Sequence, residues 1–441
     1  MGARVTQLQP RLAPIATARA YFDAARYSDC LGALHRHVGC VPATLRAQAY
    51  LRMSRITEAI ETLEAFPPGD DDNHAAKAFY HLQLSAALGR AGDRDRAEAA
   101  EADGRVHAIS SADPEALAEL AFYEARNAWS HRKLAEAKEL VLQAFCPDLA
   151  IHARALNLAG LIAASQGDYR MQVWYLLSAL KHLEKFETRY VGLEGPILYN
   201  LAVLVTDLFL PDAYEIVSCR AETLPWTDDV ALDHYHVYRC LGWTEAISGN
   251  TLGAFRNFRV AGAIAPAPAW EMLASLDRAY LSRELGENLM HAEEIDNAMR
   301  LSSKIPWTDL RGEERWALLS LAEVMAPVKP GQAQLCLDLY RRIVRPMDPT
   351  FVAASDPRVT AHEKYAHGTV FAQSQEKAPL ATPYLQSAFE IWSSIGYAWR
   401  ASRAAMQLYV LTRDEQYPKY VREHIKEFPK SWLAAEAAYC G

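Results

Sequence analysis

Apolar positions recur along this chain at i, i+3 and i+4, in long stretches rich in Ala, Leu and Glu. Period-two runs of β-branched residues bounded by turns, which strands require, are almost absent. The pattern predicts an all-α protein. Short helices cannot each bury an apolar stripe without a neighbour, so a stack of helices is expected, built from a repeated unit.

The clearest unit is YRCLGWTEAISGNTLGAFRNFRVAGAIAPAPAW, from Tyr238. It places Leu241 and Gly242 on a first helix, Gly249 in a turn, Ala254, Phe258 and Ala261 on a second helix, and Pro266 after it. Small residues at Gly242 and Ala254 let two helices approach closely, Gly249 relieves the turn, and Pro266 blocks continuation. This unit resembles the tetratricopeptide repeat, a helix-turn-helix of about 34 residues. The resemblance implies an α-α superhelix, a right-handed solenoid of antiparallel helix pairs.

The spacing recurs at LNLAGLIAASQGDYRMQVWYLLSALKHL, with Gly160, Gly167, Tyr169, Leu176 and Ala179 in the equivalent places, and near the N-terminus with Ala18, Tyr21, Tyr27, Cys30 and Leu34. Weaker copies fall around Ala59, Ala97 and Ala137. The second-helix marker moves from 30 to 59, 97, 137 and 172, and then to 254 after an irregular unit near 196 to 223. The clearest signatures occupy residues 1–270; residues 271–441 read as divergent repeats with C-terminal capping helices. Within the latter, PYLQSAFEIWSSIGYAWRASRAAMQLYVL is similar to the helical sensor arms of LuxR-like and MalT-like transcription regulators. The tail YPKYVREHIKEFPKSWLAAEAAY resembles the helix leading into the DNA-binding head of such regulators, with no helix-turn-helix signature after it.

Pro-Trp-Thr-Asp occurs twice, at Pro225 to Asp228 and at Pro306 to Asp309. Each copy lies between amphipathic stretches. Pro ends one helix, Trp can tuck against the neighbouring pair, and Thr or Asp can cap the next helix. The motif therefore reads as one structural joint built twice. A Trp beside an Asp supplies no nucleophile, metal set or phosphate cradle.

A chain of 441 residues exceeds one ordinary core, and half of its residues are hydrophobic, so it folds as an array or as several domains. The net charge of −8 is spread out with no basic block, which argues against a nucleic-acid or anionic-membrane surface. Seven scattered cysteines show no C-x-x-C, which fits a reducing compartment. No 18-residue apolar run occurs, and a cytoplasmic protein is expected. MGARVT fits the permissive myristoylation pattern, a weak signal by itself.

Chemistry is sparse. G-x-x-x-x-G-K-[ST] and G-x-S-x-G are both absent. HEKYAH, from His362 to His367, fails the H-E-x-x-H spacing, because five residues turn a helix by about 140° beyond a full turn. The pairs His234 and His236, and His35 and His37, point to nearly opposite sides of a helix. Asp70, Asp71, Asp72 and Asn73 lack the alternation of a calcium loop and read as a solvated loop and cap. Neither a cofactor nor a metal is expected, and an enzyme is the less favoured class.

In tetratricopeptide arrays the first helix of each pair lines the concave face. By that register the resemblance implies a groove containing Arg126, Trp129, Arg154, Asn157, Tyr199, His236, Arg239 and Trp243. The set suits an extended peptide or protein segment: Arg can hold carboxylates, Asn can bond peptide groups, and aromatics supply area. The expected function is a protein- or peptide-binding scaffold with a regulatory role. The competing readings are the ligand-sensing arm of a regulator lacking its DNA-binding head, and an enzyme whose site is assembled from distant repeats.

Overall fold

The structure is a computed structural model that describes residues 9–147, 149–208, 210–308, 316–344, 357–374, 376–425 and 430–439. Helices joined by short turns and loops make up the described residues, with no strand among them. The chain forms two compact units, one of residues 1–201 and 224–230, the other of residues 202–223 and 231–441. The loss of signature clarity at residue 270 falls inside the second unit.

The first unit holds α1 (Gln9–Asp23), α2 (Tyr27–Leu34), α3 (Cys40–Arg52), α4 (Ile56–Ala65), α5 (His74–Ala91), α6 (Arg94–Ser111), α7 (Pro114–Ser130), α8 (Leu134–Gln143), α9 (Ile151–Ser165), α10 (Tyr169–Leu183) and the start of α11 (Val191–Leu208). The second unit takes the end of α11 and then α12 (Pro211–Thr223), α13 (Ala231–Ile247), α14 (Thr251–Ile264), α15 (Pro268–Glu284), α16 (Asn288–Ser302), α17 (Ala317–Met325) and α18 (Pro330–Leu339). It closes with α19 (Pro357–Ala372), α20 (Ala378–Ser394), α21 (Ala398–Thr412), α22 (Gln416–His424) and α23 (Trp432–Tyr439). Neighbours such as α5 with α6, α9 with α10, α13 with α14 and α19 with α20 pack as pairs.

These pairs are helix hairpins that share one turn geometry. Positive φ occurs at residues 25, 54, 92, 132, 167 and 249, each in the turn between the two helices of a pair. The predicted marker positions 30, 59, 97, 137, 172 and 254 follow these by five residues in every case. Uneven repeat length thus resides in the loops between hairpins, while each turn keeps one geometry. At Ala25, Ser54 and Arg132 the left-handed conformation is held without glycine, with φ of 54, 58 and 63°.

Close packing at the hairpin crossing varies. A Cβ on Gly242 would lie 2.5 Å from the Phe258 ring, and one on Gly368 would lie 2.6 Å from Leu385. Glycine is needed there. A Cβ on Gly160 would meet Gln172 at 3.5 Å, an ordinary contact, so that position has room for a methyl group. The Asp70–Asn73 segment is a loop ending in a cap, with the Asn73 side chain accepting the Ala76 N–H at 2.8 Å.

The two Pro-Trp-Thr-Asp segments share a local turn. Trp226 N–H donates to Leu224 O at 2.8 Å and Trp307 N–H to Ile305 O at 3.0 Å, each bond closing over the intervening proline. Trp307 packs against the core of the second unit, and Asp309 lies outside the described residues. In the first copy the polar side chains do not cap the next helix. Thr227 Oγ1 donates to Ala25 O at 2.7 Å, and the neighbouring Asp229 carboxylate accepts N–H groups of Tyr27 at 2.6 Å and Ser28 at 3.3 Å. The segment therefore clasps the first hairpin of its unit. The first turn of α11 also meets this hairpin, since a Cβ on Gly192 would lie 2.6 Å from Tyr27 Oη.

Helix α11 is long and apolar enough to cross a bilayer by composition, with a mean hydropathy of 1.3, but 67% of it is buried within the protein. Its charges are paired: Glu194 with Arg189 at 3.0 Å, and Asp207 with Arg400 at 3.0 Å. Packing accounts for its apolarity.

Candidate functional site

The first unit holds a cavity of about 670 Å³, lined by one face of each odd-numbered helix from α1 to α11 together with Tyr27 at the start of α2. Helical spacing explains the lining. On α7 the residues Glu115, Glu119, Phe122, Arg126 and Trp129 follow one another by four and three, which keeps all five on one stripe. On α5 the equivalent stripe is Ala76, Phe79, Gln83, Ala86 and Arg90. The opposite faces of these helices carry the alanines that pack each hairpin.

Four of the eight predicted groove residues, Arg126, Trp129, Arg154 and Asn157, line this cavity. Arg154 is committed internally. Its Nη1 donates to both carboxylate oxygens of the buried Glu119 at 2.9 Å, and its guanidinium lies over the Phe122 ring at 4.3 Å. Asn157 Oδ1 accepts from Asn200 Nδ2 at 2.9 Å, and Trp129 Nε1 donates to Ser165 Oγ at 2.9 Å. Arg126 stacks on Tyr123 at 4.7 Å and is in no ion pair among the described residues. Tyr199, on α11, is half-buried and does not line the cavity.

Two arginines that the sequence reading passed over stand beside Arg126. Arg52 and Arg90 end α3 and α5, where a cation also suits the helix C-terminus. Arg90 Nη1 donates to Leu51 O at 2.8 Å, which leaves other guanidinium donors for a ligand. Neither is in an ion pair among the described residues. Burial lowers the Arg90 pKa, and the neighbouring Arg126 and Arg52 add to this. A second missed set is acidic. Asp23 on α1 and Glu115 on α7 both line the cavity, and burial raises both carboxyls; Arg19 opposes this, while Glu115 adds to the rise at Asp23, and Glu119 and Asp113 add to the rise at Glu115. The signal for Glu115 and Glu119 was legible, since both share the stripe of Arg126.

The other three predicted residues belong to α13 of the second unit. Arg239 holds Asp277 in a bidentate pair, with Nη2 to Oδ1 at 3.0 Å. His236 is buried, with its ring edge-on to Trp270 at 4.8 Å, and burial together with Arg239 holds its pKa down at about 3. Trp243 packs against Phe258 and Tyr280, both at 5.5 Å. Here the first helices are cross-bridged. Arg403 on α21 pairs with the buried Glu323 of α17, donates to Tyr280 Oη of α15 at 3.0 Å, and Glu323 also faces His362 of α19 at 3.7 Å. Burial alone would raise the Glu323 carboxyl, but Arg403 and His362 bring it down to about 2. Trp399 and Trp432 add an edge-on aromatic pair at 4.8 Å. The side chains expected to face a groove in this unit are taken up by neighbouring helices: Arg239 by Asp277, His236 by Trp270 and Trp243 by Phe258 and Tyr280.

The HEKYAH histidines take separate partners: His362 faces Glu323, while His367 Nδ1 bonds to Glu363 O of its own helix at 2.7 Å. Among the described residues no group of three or more His, Cys, Asp or Glu side chains is arranged to hold a metal ion.

No family model and no curated protein matches this chain. Similar solved structures include yeast Tom70, at 15% identity and TM-score 0.32 over 98% of this chain and 96% of that one. The APC/C hetero-tetramer Cut9-Hcn1 aligns at 14% identity and TM-score 0.28 over 98% and 92% of the two chains. The tetratricopeptide domain of P58(IPK) aligns at 12% identity and TM-score 0.21 over 89% and 96%.

Proposed function

We propose that this chain is a non-enzymatic binding protein of the cytoplasm, a scaffold with a regulatory role, and that the cavity of its first unit receives an extended peptide or partner segment. One observation carries this reading: three cavity-facing arginines, Arg52, Arg90 and Arg126, have no carboxylate partner among the described residues, beside an apolar wall that includes Phe79, Leu158 and Leu161. Cations gathered without counter-charge favour a ligand that brings an anion, and the apolar wall favours one that buries side chains.

The test is a capture experiment with the intact chain, a cavity-filled variant and a charge variant. Gln48 projects from α3 into the cavity, so Gln48→Trp occupies the space, and Arg126→Gln removes a cation. A photo-reactive residue at Leu161 should cross-link a captured partner, and both variants should lose it. Capture that is unchanged in both variants, with no cross-link from Leu161, would overturn the reading.

A further inference from the structure

The charges of the cavity are sorted along its length. Five arginines and three acids line it: Arg19, Arg52, Arg90, Arg126 and Arg154 against Asp23, Glu115 and Glu119. Arg154 and Glu119 cancel near the middle, at 2.9 Å. Asp23 and Glu115 remain at one end, with Arg19 as their nearby cation, 3.4 Å from Asp23. Arg52, Arg90 and Arg126 remain at the other.

Helix α7 measures the separation. Glu115 and Arg126 are eleven residues apart on one stripe, which corresponds to about 16 Å of helix rise and only about 20° of rotation. An extended peptide advances by roughly 3.3 to 3.6 Å per residue, so the ends of a four- or five-residue chain would reach both clusters. Between them lie Phe122 and Leu158, which can take apolar side chains.

We infer that the occupant of this cavity is a short free peptide of four or five residues, with its N-terminal ammonium at Asp23 and Glu115 and its C-terminal carboxylate at Arg90 and Arg126. This inference rests on the proposal that the cavity binds peptide. An internal segment of a longer protein brings no terminal charges and would leave Arg52, Arg90 and Arg126 without a counter-charge at one end and the single cation Arg19 for both Asp23 and Glu115 at the other. A small anion would answer the arginine end only, and would leave Asp23 and Glu115 with Arg19 as their one nearby cation. The cavity's excess of two positive charges further favours an acidic side chain close to the carboxyl end. Burial is the main cause of the raised Asp23 and Glu115 carboxyls and of the lowered Arg90 guanidinium, and like-charged neighbours at each end add to it.

The experiment uses the full chain and pooled synthetic pentapeptides with apolar central residues, in four matched forms: both ends free, N-acetylated, C-amidated, and blocked at both ends. Retained peptides are identified by mass spectrometry and titrated by calorimetry. Free peptides should bind, and each block should weaken binding by about tenfold or more, the loss of one charge-assisted contact. Glu115→Gln should abolish the penalty for acetylation, and Arg126→Gln the penalty for amidation, with both variants melting like the parent. Blocked peptides that bind as well as free ones would overturn the inference and leave peptide binding in place. No peptide retained, while a protein partner is captured by the parent and lost by Gln48→Trp, would also overturn the inference alone. No peptide and no partner would overturn both.

Discussion

The carboxylate of Asp229 accepts the backbone N–H of Tyr27 at 2.6 Å across 202 residues of sequence. Tyr27 opens α2, so Asp229 serves as an N-terminal cap delivered from a distant loop, and Thr227 adds a bond to Ala25 O at 2.7 Å. Helix α2 has no side-chain cap of its own, with Arg26 at the cap position. The clasp therefore ties the first hairpin into the unit that encloses the cavity.

Removing this cap should cost about 1 to 2 kcal/mol, the usual loss for an N-cap acceptor. Asp229→Ala is expected to lower the urea midpoint and to speed amide exchange in α2 more than in α9. Asp229→Asn keeps an acceptor and should retain most of the protection. Equal exchange in α2 for parent and Asp229→Ala would show that the clasp contributes nothing.

Two glycines that look alike in sequence should behave differently. Gly242→Ala places a methyl group into the Phe258 ring and should destabilise by about 1 to 3 kcal/mol. Gly160→Ala has room, and the gain in helix propensity should make it neutral or stabilising by up to about 1 kcal/mol. Denaturant titration of the two variants checks both, and a neutral Gly242→Ala would refute the close crossing.

Ser54 holds a left-handed conformation at φ 58° that glycine adopts freely. Ser54→Gly should raise stability by about 0.5 to 1 kcal/mol, because relief of this strain exceeds the added entropy of the unfolded chain. A fall in melting temperature would contradict that balance.

The hairpin register was legible because it depends on local rules: turn geometry, small residues at crossings and a stripe of period 3.6. Every marker from Cys30 to Ala254 therefore falls five residues after a positive-φ position. The charge partners were not legible, since Arg154 meets Glu119 35 residues away and Arg239 meets Asp277 38 residues away, each one repeat distant. Sequence spacing identifies the face on which an arginine stands. Whether the adjacent helix presents a carboxylate depends on packing between hairpins. The same reason hid the clasp, whose first partner lies 202 residues from it.

Arg154 and Arg126 should separate stability from binding. Arg154→Gln leaves the buried Glu119 carboxylate without its partner and should destabilise by about 3 to 5 kcal/mol. Arg126→Gln breaks no ion pair, so it should leave the melting temperature within about a degree while reducing ligand affinity. Calorimetric melting of both variants checks this, and similar melting temperatures for the two would contradict the assignment of roles.

Acid should destabilise the protein from about pH 6.5 downward. Burial lowers the pKa of His152 and His234 to about 4 and of His236 to about 3, from the ordinary imidazole value of 6.5. The unfolded chain takes up these protons as pH falls below 6.5 while the folded chain does not, so stability present above 6.5 is lost progressively. Glu323 acts at lower pH: its folded value of about 2 lies below the ordinary glutamate value of 4.5, and its contribution, full above 4.5, fades toward pH 2. Urea midpoints measured from pH 8 to 4 should fall below 6.5, and His236→Phe should make the fall shallower. A slope that His236→Phe leaves unchanged would show that this histidine is not held neutral.

The most direct measurement is a calorimetric titration of the parent and Gln48→Trp with the peptides retained from the free pentapeptide pool, alongside melting curves of both proteins. The account predicts saturable one-to-one binding by the parent and its loss in the variant at unchanged melting temperature. Equal binding by the variant, with its cavity filled, would place the binding surface elsewhere and contradict the account.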